Sequence, residues 1–252
     1  MTSTPFSPAR QTTGRIDVHA HLLPNVDDGC RSADESIACA RMLVANGYTH
    51  AFCTPHVWPS LPEVTRESVA QRTADLQSEF DAAGAGLTLI PGGELSLRAE
   101  VRETPPEQII STGLGGKYIL ADMWAERLPH WFEKAIRWLQ KQGLRVILAH
   151  PERMRAVQDD PNIVAEFEAM DVLLQGNLQC FADRPGALTR GVAEKYLSEG
   201  RYFLLGSDTH NPQTIDVRMA GLARVRELVG DETLDQLTIT NPRKLVSDLP
   251  SG

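Results

Sequence analysis

Apolar residues in this chain come in short runs, and most of the runs end on a histidine or a carboxylate. Ile16 and Val18 alternate with Asp17 and His19, the period of a short buried strand. After the loop Val26-Asp27-Asp28-Gly29, Asp34 is placed to cap a helix with apolar positions at Ile37, Ala40, Met42, Leu43 and Val44. Asn46-Gly47 ends that helix. Residues 48–54 predict a second strand that runs into Pro55-His56, and a long helix over about 67–83 stops at Gly84. Residues 87–91 form a third strand, followed by Gly92-Gly93-Glu94, and 118–121 a fourth, ending in Asp122. The stretch 128–142 is amphipathic, with Trp131, Ala135, Trp138 and Leu139 on one face and Gly143 behind it. Arg145–Ala149 is a fifth strand leading into His150-Pro151-Glu152-Arg153, and 172–175 a sixth, ending near Asn177. A seventh, 202–205, ends in Gly206-Ser207-Asp208-Thr209-His210, and helices entered near Asp231-Glu232 and Asn241-Pro242 finish the chain.

Strand and helix thus alternate about seven times, with no internal repeat and no low-complexity linker. That pattern argues for an α/β protein with a parallel sheet, and closure into a barrel is the economical arrangement for a chain of 252 residues. The open doubly wound sheet is the alternative. Its usual nucleotide-binding signatures, GxGxxG after the first strand or GxxxxGK[ST], are missing. Residues 1–13, rich in Ser, Thr and Pro, read as a disordered arm ahead of a single domain over 14–252.

Composition narrows the partners. With 25 basic against 33 acidic residues the formal charge is -8, which disfavours a dedicated nucleic-acid binder. No apolar run is long enough to span a membrane and the N-terminus lacks a signal-peptide core, so the expected compartment is the cytoplasm. Cys30, Cys39, Cys53 and Cys180 form no CxxC pair and are expected as reduced thiols, Cys39 and Cys53 in the core.

The chemistry gathers at the strand ends, where parallel barrels keep their active sites. Of seven histidines, His19, His21, His56, His150 and His210 fall at or just past such ends; His50 and His130 do not and read as structural or surface residues. The same ends supply Asp28, Glu94, Asp122 and Asp208. Nitrogen and oxygen donors in that number exceed what one ion needs, and suit two or three divalent ions bridged by carboxylates. Each residue alone has an ordinary structural role open to it, a helix cap for Glu94 or a turn for Asp208. Their recurrence at one topological position is the signal.

These residues also carry a resemblance. DVHAH with the DDG loop, then TPH, GGE, LAHPER, GSDTH and NPRK, resemble in order and spacing the PHP (polymerase and histidinol phosphatase) superfamily. More narrowly, they resemble the bacterial metal-dependent protein-tyrosine phosphatases of capsule and exopolysaccharide loci, the CpsB type. The resemblance runs over about residues 15 to 246. It implies a distorted (β/α)7 barrel with three metal ions, usually manganese, with iron, zinc or cobalt as alternatives. It further implies that His19, His21, Glu94 and Asp208 hold one ion, that Asp28, His56 and His210 hold a second, and that Glu94 bridges to a third held with Asp122 and His150. Asp122 departs from the family, which usually has Glu there, one methylene longer. Arg153 matches the family's phosphate-binding arginine, and Arg218 is the nearest candidate for a second, although its loop differs in length.

The expected reaction is hydrolysis of phosphotyrosine on a protein, a bacterial tyrosine kinase being the implied partner, by metal-activated hydroxide attack. Cysteine-based phosphatase chemistry needs an arginine six positions after the nucleophile. The residues six beyond Cys30, Cys39, Cys53 and Cys180 are Ser36, Ala45, Pro59 and Gly186, which excludes it. Two rivals share the scaffold. One is a PHP phosphoesterase for a small molecule such as histidinol phosphate, with the same metals and different pocket walls. The other is a non-catalytic kinase-docking module, which would be expected to have lost ligands that this chain keeps. Trp58 and Trp124 follow ligand strands closely and could wall a phosphotyrosine pocket or simply pack their loops.

Overall fold

A computed structural model describes residues 13–182, 186–247 and 249. The expected arm, apart from its last residue, lies outside the described residues. The strands are β1 (Arg15–Ala20), β2 (Tyr48–Cys53), β3 (His56–Val57), β4 (Thr88–Pro91), β5 (Glu94–Ser96), β6 (Tyr118–Asp122), β7 (Arg145–Ala149), β8 (Leu173–Asn177) and β9 (Leu204–Gly206). Seven of them stand where the apolar runs predict strands. The other two, β3 and β5, arise because the second and third runs break and restart. Pro55 and Pro91, which have no amide hydrogen to give a ladder, stand at the breaks.

The breaks switch sheets. β1, β2 and β4 form a three-stranded sheet, while β3, β5, β6, β7, β8 and β9 form a six-stranded one, and the pairings are parallel. One continuous ring of strands, expected from the alternation, is therefore not what the ladders describe. Among the described residues the two sheets meet at one isolated bridge, between Ala20 and Thr209, where Asp208 N donates to His19 O and His21 N to Thr209 O, both at 2.8 Å. Glu94 N donates to Pro55 O at 3.0 Å, so the restarted segments stay in register with each other, His56 opposite Glu94.

Two bodies of apolar side chains stabilise this arrangement. A small one, contributed mainly by the strands, contains Ile16, Val18, Phe52, Ile90, Leu120, Ile147 and Leu204. The large one lies between strands and helices, with Leu43 of α1 (Ala33–Ala45), Phe80 of α2 (Arg66–Ala82), Phe132 of α3 (Phe132–Lys141) and Phe167 beyond α4 (Arg155–Asp159), in α5 (Val164–Ala169). Helices α6 (Ala187–Ser198) and α7 (Ile215–Asp235) complete it, while α8 (Asn241–Ser247) packs Leu245 into the small one. Burying each such side chain contributes about 1.5–3 kcal/mol.

Local details differ from the sequence reading for identifiable reasons. Ser32, not Asp34, caps α1, its hydroxyl accepting from Glu35 N at 3.3 Å. Helix α3 begins only at Phe132, because the chain ahead of it turns at Pro129, and it buries Phe132, Ala135, Ile136 and Leu139 while Trp138 is half-buried. The helix expected near Asp231 is present: α7 is two helical segments joined across Gly230, φ 76° and ψ 174°, and the second begins at Asp231. The four cysteines are buried free thiols, as expected. Among the described residues no helix is long and apolar enough to cross a membrane.

Candidate metal centre

The bridge between the sheets places both histidines of the opening motif against Glu94 and Asp208. His19 is the penultimate residue of β1, His21 follows the strand, and their Nε2 atoms lie 3.1 Å apart. Both face the same two carboxylate oxygens: Glu94 Oε2 at 3.4 and 3.5 Å, Asp208 Oδ1 at 3.5 and 3.4 Å. His56 opens β3 with Nδ1 2.8 Å from Glu94 Oε2, and its Nε2 is 3.4 Å from Asp28 Oδ1. His210 reaches the same Asp28 oxygen at 3.3 Å. His150 Nε2 stands 3.0 Å from Glu94 Oε1.

Nine residues from different elements thus come together, with Glu94 at their middle. Three sets of donor atoms lie mutually within 4.8 Å: His21 with Asp28, His56 and His210; His19 with His21 and Glu94; and His56 with Glu94 and Asp122. The sharing differs from the resemblance in two places. His21 joins the Asp28 set, and His56 as well as His150 lies close to the Glu94–Asp122 end.

The charges in this cluster support each other. Burial would push Glu94 and Asp208 toward the neutral acid, but the facing imidazoles, His19 foremost, hold both well below the usual carboxylate range. His210 and His56 also hold exposed Asp28 well below that range. Burial also opposes a charge on His56, yet Asp28 and Glu94 raise it to about 9. Asp122 is the exception: burial, then the repulsion of Glu94, push it up to about 6.

Several donors have no hydrogen-bond partner. Both oxygens of Asp122, Glu94 Oε2 and His56 Nδ1 are buried without one, although the last two approach to 2.8 Å. Buried polar atoms are ordinarily paired, since leaving one unpaired costs about 1–3 kcal/mol. Carboxylate and imidazole atoms crowded together without hydrogen bonds are the donor set a divalent cation satisfies. The residues present fit metal ions.

A supporting layer, which the sequence reading did not single out, aims these donors. Gln175 Nε2 donates to Gly176 O at 2.6 Å, so its Oε1, 2.8 Å from His19 Nδ1, accepts the imidazole proton and leaves His19 Nε2 a free lone pair. Asp27 Oδ2 takes the same role for His21 Nδ1 at 2.7 Å and also accepts from His56 N at 2.9 Å. Asp17 fastens Ser207, accepting from its backbone N at 2.9 Å and from its hydroxyl. Asn177 donates to Asp208 Oδ2 at 2.7 Å, and buried Glu152 accepts from Asn177 N at 2.7 Å and Tyr202 OH at 3.0 Å. The available signal was polarity where a strand should be apolar, in the Gln175–Asn177 end of β8. Gly29 has a packing reason: a Cβ there would stand 2.6 Å from that of His21.

Two site residues adopt left-handed backbone, His150 at φ 34° and Asp208 at φ 53°. A non-glycine residue held there costs about 1–2 kcal/mol. His150 is kept in place by its N–H on Gln175 O at 2.8 Å, and Asp208 by its N–H on His19 O at 2.8 Å.

The two arginines part company. Arg153 is a quarter exposed and donates from Nη1 to Asp208 Oδ2 at 2.8 Å, so its guanidinium borders the cluster. Arg218, on α7, is buried and donates to backbone: Nε to Ser207 O at 2.8 Å, Nη2 to Asp208 O at 2.6 Å and Nη1 to Thr214 O at 3.0 Å. The expected second phosphate-binding arginine is instead a clamp on the turn that carries Asp208. Its place on α7 seats it behind that turn, where the carbonyls take its donors.

Comparison with known proteins supplies the family. Tyrosine-protein phosphatase YwqE of Bacillus subtilis is 27% identical over 203 residues, 79% of this chain and 78% of that protein. Tyrosine-protein phosphatase CpsB of Streptococcus pneumoniae is 24% identical over 247 residues, 92% and 98% of the two chains. A solved structure from the work on those two proteins, described there as unique metal-dependent tyrosine phosphatases, superposes with a TM-score of 0.85 at 24% identity, covering 93% of this chain and 95% of that one. The fold alone is also shared with dihydropyrimidinase from Brevibacillus agri, at a TM-score of 0.56 and 14% identity over 94% of this chain and 71% of that one. The family model for capsular polysaccharide synthesis, CpsB/CapC, matches residues 15–247, and this chain belongs to that family.

Proposed function

We propose that this protein is a metal-dependent tyrosine-protein phosphatase that hydrolyses phosphotyrosine, with a bacterial tyrosine kinase of capsule or exopolysaccharide synthesis as its substrate, in the cytoplasm. The observation that carries the proposal is the convergence of five imidazoles and four carboxylates, with buried donors unpaired, beside one accessible arginine. The nine residues His19, His21, Asp28, His56, Glu94, Asp122, His150, Asp208 and His210 are assigned as ligands of three divalent ions, manganese by preference. Such ions supply Lewis-acid activation of a water nucleophile and neutralise phosphoryl charge. The chain's own residues do the rest. Glu94 and Asp208, held ionised, offset the cations' charge. Gln175 and Asp27 orient the imidazoles of His19 and His21. Arg153, whose planar fork suits two phosphoryl oxygens, binds and orients the phosphate. The phenolate of tyrosine, with an ordinary pKa of about 10, leaves without a strong general acid.

The broken strands support reading the two sheets as one distorted (β/α)7 barrel within a single domain over 14–252. β2 with β3 and β4 with β5 each occupy one barrel position, and the Ala20–Thr209 bridge lies where the ring would close.

The test is a metal-dependent panel on one preparation: matched phosphotyrosine and phosphoserine peptides and histidinol phosphate. Preferred turnover of the phosphotyrosine peptide is expected. Good turnover of histidinol phosphate with both peptides poor would overturn the assignment in favour of a small-molecule phosphoesterase.

A further inference from the structure

Trp124 is 60% exposed, the most open of the large apolar side chains among the described residues. It follows β6 by two positions, on the rim of the metal centre. Arg153 Cζ lies 4.8 Å from its ring centroid, and the His150 ring lies 6.0 Å away. The loop that carries it is tied to α4 by Ala156 N donating to Ala125 O at 3.4 Å, so Trp124 and Arg153 keep their relative places. Trp58, the other tryptophan near the site, is spent differently. It is half-buried and stacks on His56 at 4.0 Å with planes 18° apart, which makes it a support for that imidazole.

An exposed indole at the edge of a charged cleft is a costly surface to leave in water, and its position gives it a use. A cation that can grip phosphate lies over one part of an indole whose remaining surface is open. The complementary ligand is anionic at one end and aromatic at the other, with the ring joined directly to the phosphoryl group. We propose that Trp124 is a specificity-determining residue, receiving the aryl ring of an aryl phosphate whose phosphoryl group is held by Arg153. Offset or edge-to-face packing at ring separations of about 4.5–7 Å is available beside the guanidinium. A serine-type alkyl phosphate bound the same way has no ring to place there. The inference rests on the phosphatase reading for the phosphate end of the ligand, and goes beyond it in naming how the ring is recognised.

The test is calorimetric binding of phenylphosphonate and methylphosphonate to manganese-loaded wild type, Trp124→Ala and Trp124→Phe. Wild type is expected to prefer phenylphosphonate. Trp124→Ala should weaken phenylphosphonate by about tenfold, the scale of one aromatic pair with its buried area. Methylphosphonate binding should not change, and Trp124→Phe should retain most of the preference. If Trp124→Ala weakened both phosphonates equally, the indole would only be holding Arg153 and the proposal would fall; no change in either would also overturn it. Hydrolysis of a phosphotyrosine peptide by wild type is read in parallel. Should that fail while the phenyl preference still depended on Trp124, the phosphatase assignment would fall and the aryl site would stand.

Discussion

Arg153 Nη1 donates to Asp208 Oδ2 at 2.8 Å, so the arginine assigned to the phosphate is fastened to a carboxylate of the metal centre. The same Asp208 oxygen accepts from Asn177 Nδ2 at 2.7 Å, which keeps it satisfied when Arg153 turns to a substrate. Arg153→Lys keeps the charge and loses the fork. We expect kcat/KM on a phosphotyrosine peptide to fall by about 1.5–3 kcal/mol of transition-state stabilisation, the range for hydrogen bonds to charged groups. Metal content measured by elemental analysis should be unchanged; loss of metal instead would show that the arginine serves the ligand shell.

Chelation should abolish hydrolysis of an aryl phosphate, and manganese should restore it better than magnesium, because imidazole-rich sites suit the softer ion. His21→Ala and Asp208→Ala should lower turnover by several orders of magnitude with the fold intact by circular dichroism. Cys53→Ser should be mild, since that thiol is fully buried and pushed up out of the titrating range by burial. A dead, folded, metal-loaded Cys53→Ser protein would refute the metal mechanism.

Gln175→Ala removes the acceptor that fixes the His19 ring without touching a ligand atom. Loss of such a partner typically costs about 10–100-fold in metal affinity or activity. Competition with a chromophoric chelator measures the affinity directly. An unchanged value would mean that β8 serves only the sheet.

Asp122 lends a separate handle on the third ion. Both its oxygens are unpaired and it is pushed up to about 6, so Asp122→Asn should be tolerated by the metal-free fold while one equivalent of metal is lost from the loaded protein. Retention of the full complement in Asp122→Asn would remove Asp122 from the ligand set.

The charge state of His56 predicts a pH dependence. Burial opposes its charge, Asp28 and Glu94 outweigh burial, and the folded metal-free value is about 9 against an ordinary 6.5. A raised value stabilises the metal-free fold below about pH 6.5 and that contribution is lost as pH climbs through about 9. A bound cation must displace this proton, so manganese affinity should rise with pH over the same window. Calorimetric titration in buffers of different ionisation enthalpy should show proton release at neutral pH. Affinity that is flat from pH 6.5 to 9 would contradict the assignment of His56 as a ligand.

Much of this was legible in the chain. Period-2 runs such as Ile16 and Val18, closed by His, Asp or Glu, determined where the strands stop and which side chains stand at their ends, because strand periodicity and strand termination are local properties. The meeting of the nine side chains at the strand ends was readable for that reason. Three-dimensional packing decided the rest. Whether the second and third apolar runs continue or break depends on which neighbour each half finds, and the breaks beside Pro55 and Pro91 split one expected ring into two sheets. Gln175, Asn177 and Asp27 look like ordinary polar residues until the fold brings them against His19, Asp208 and His21. Arg218 carries the right chemistry for a phosphate, yet its place on α7 directs the guanidinium onto the carbonyls of Ser207 and Asp208. Donor identity is written in single residues; the direction in which each donor points is a property of contacts between residues up to 190 positions apart, as between Asp17 and Ser207.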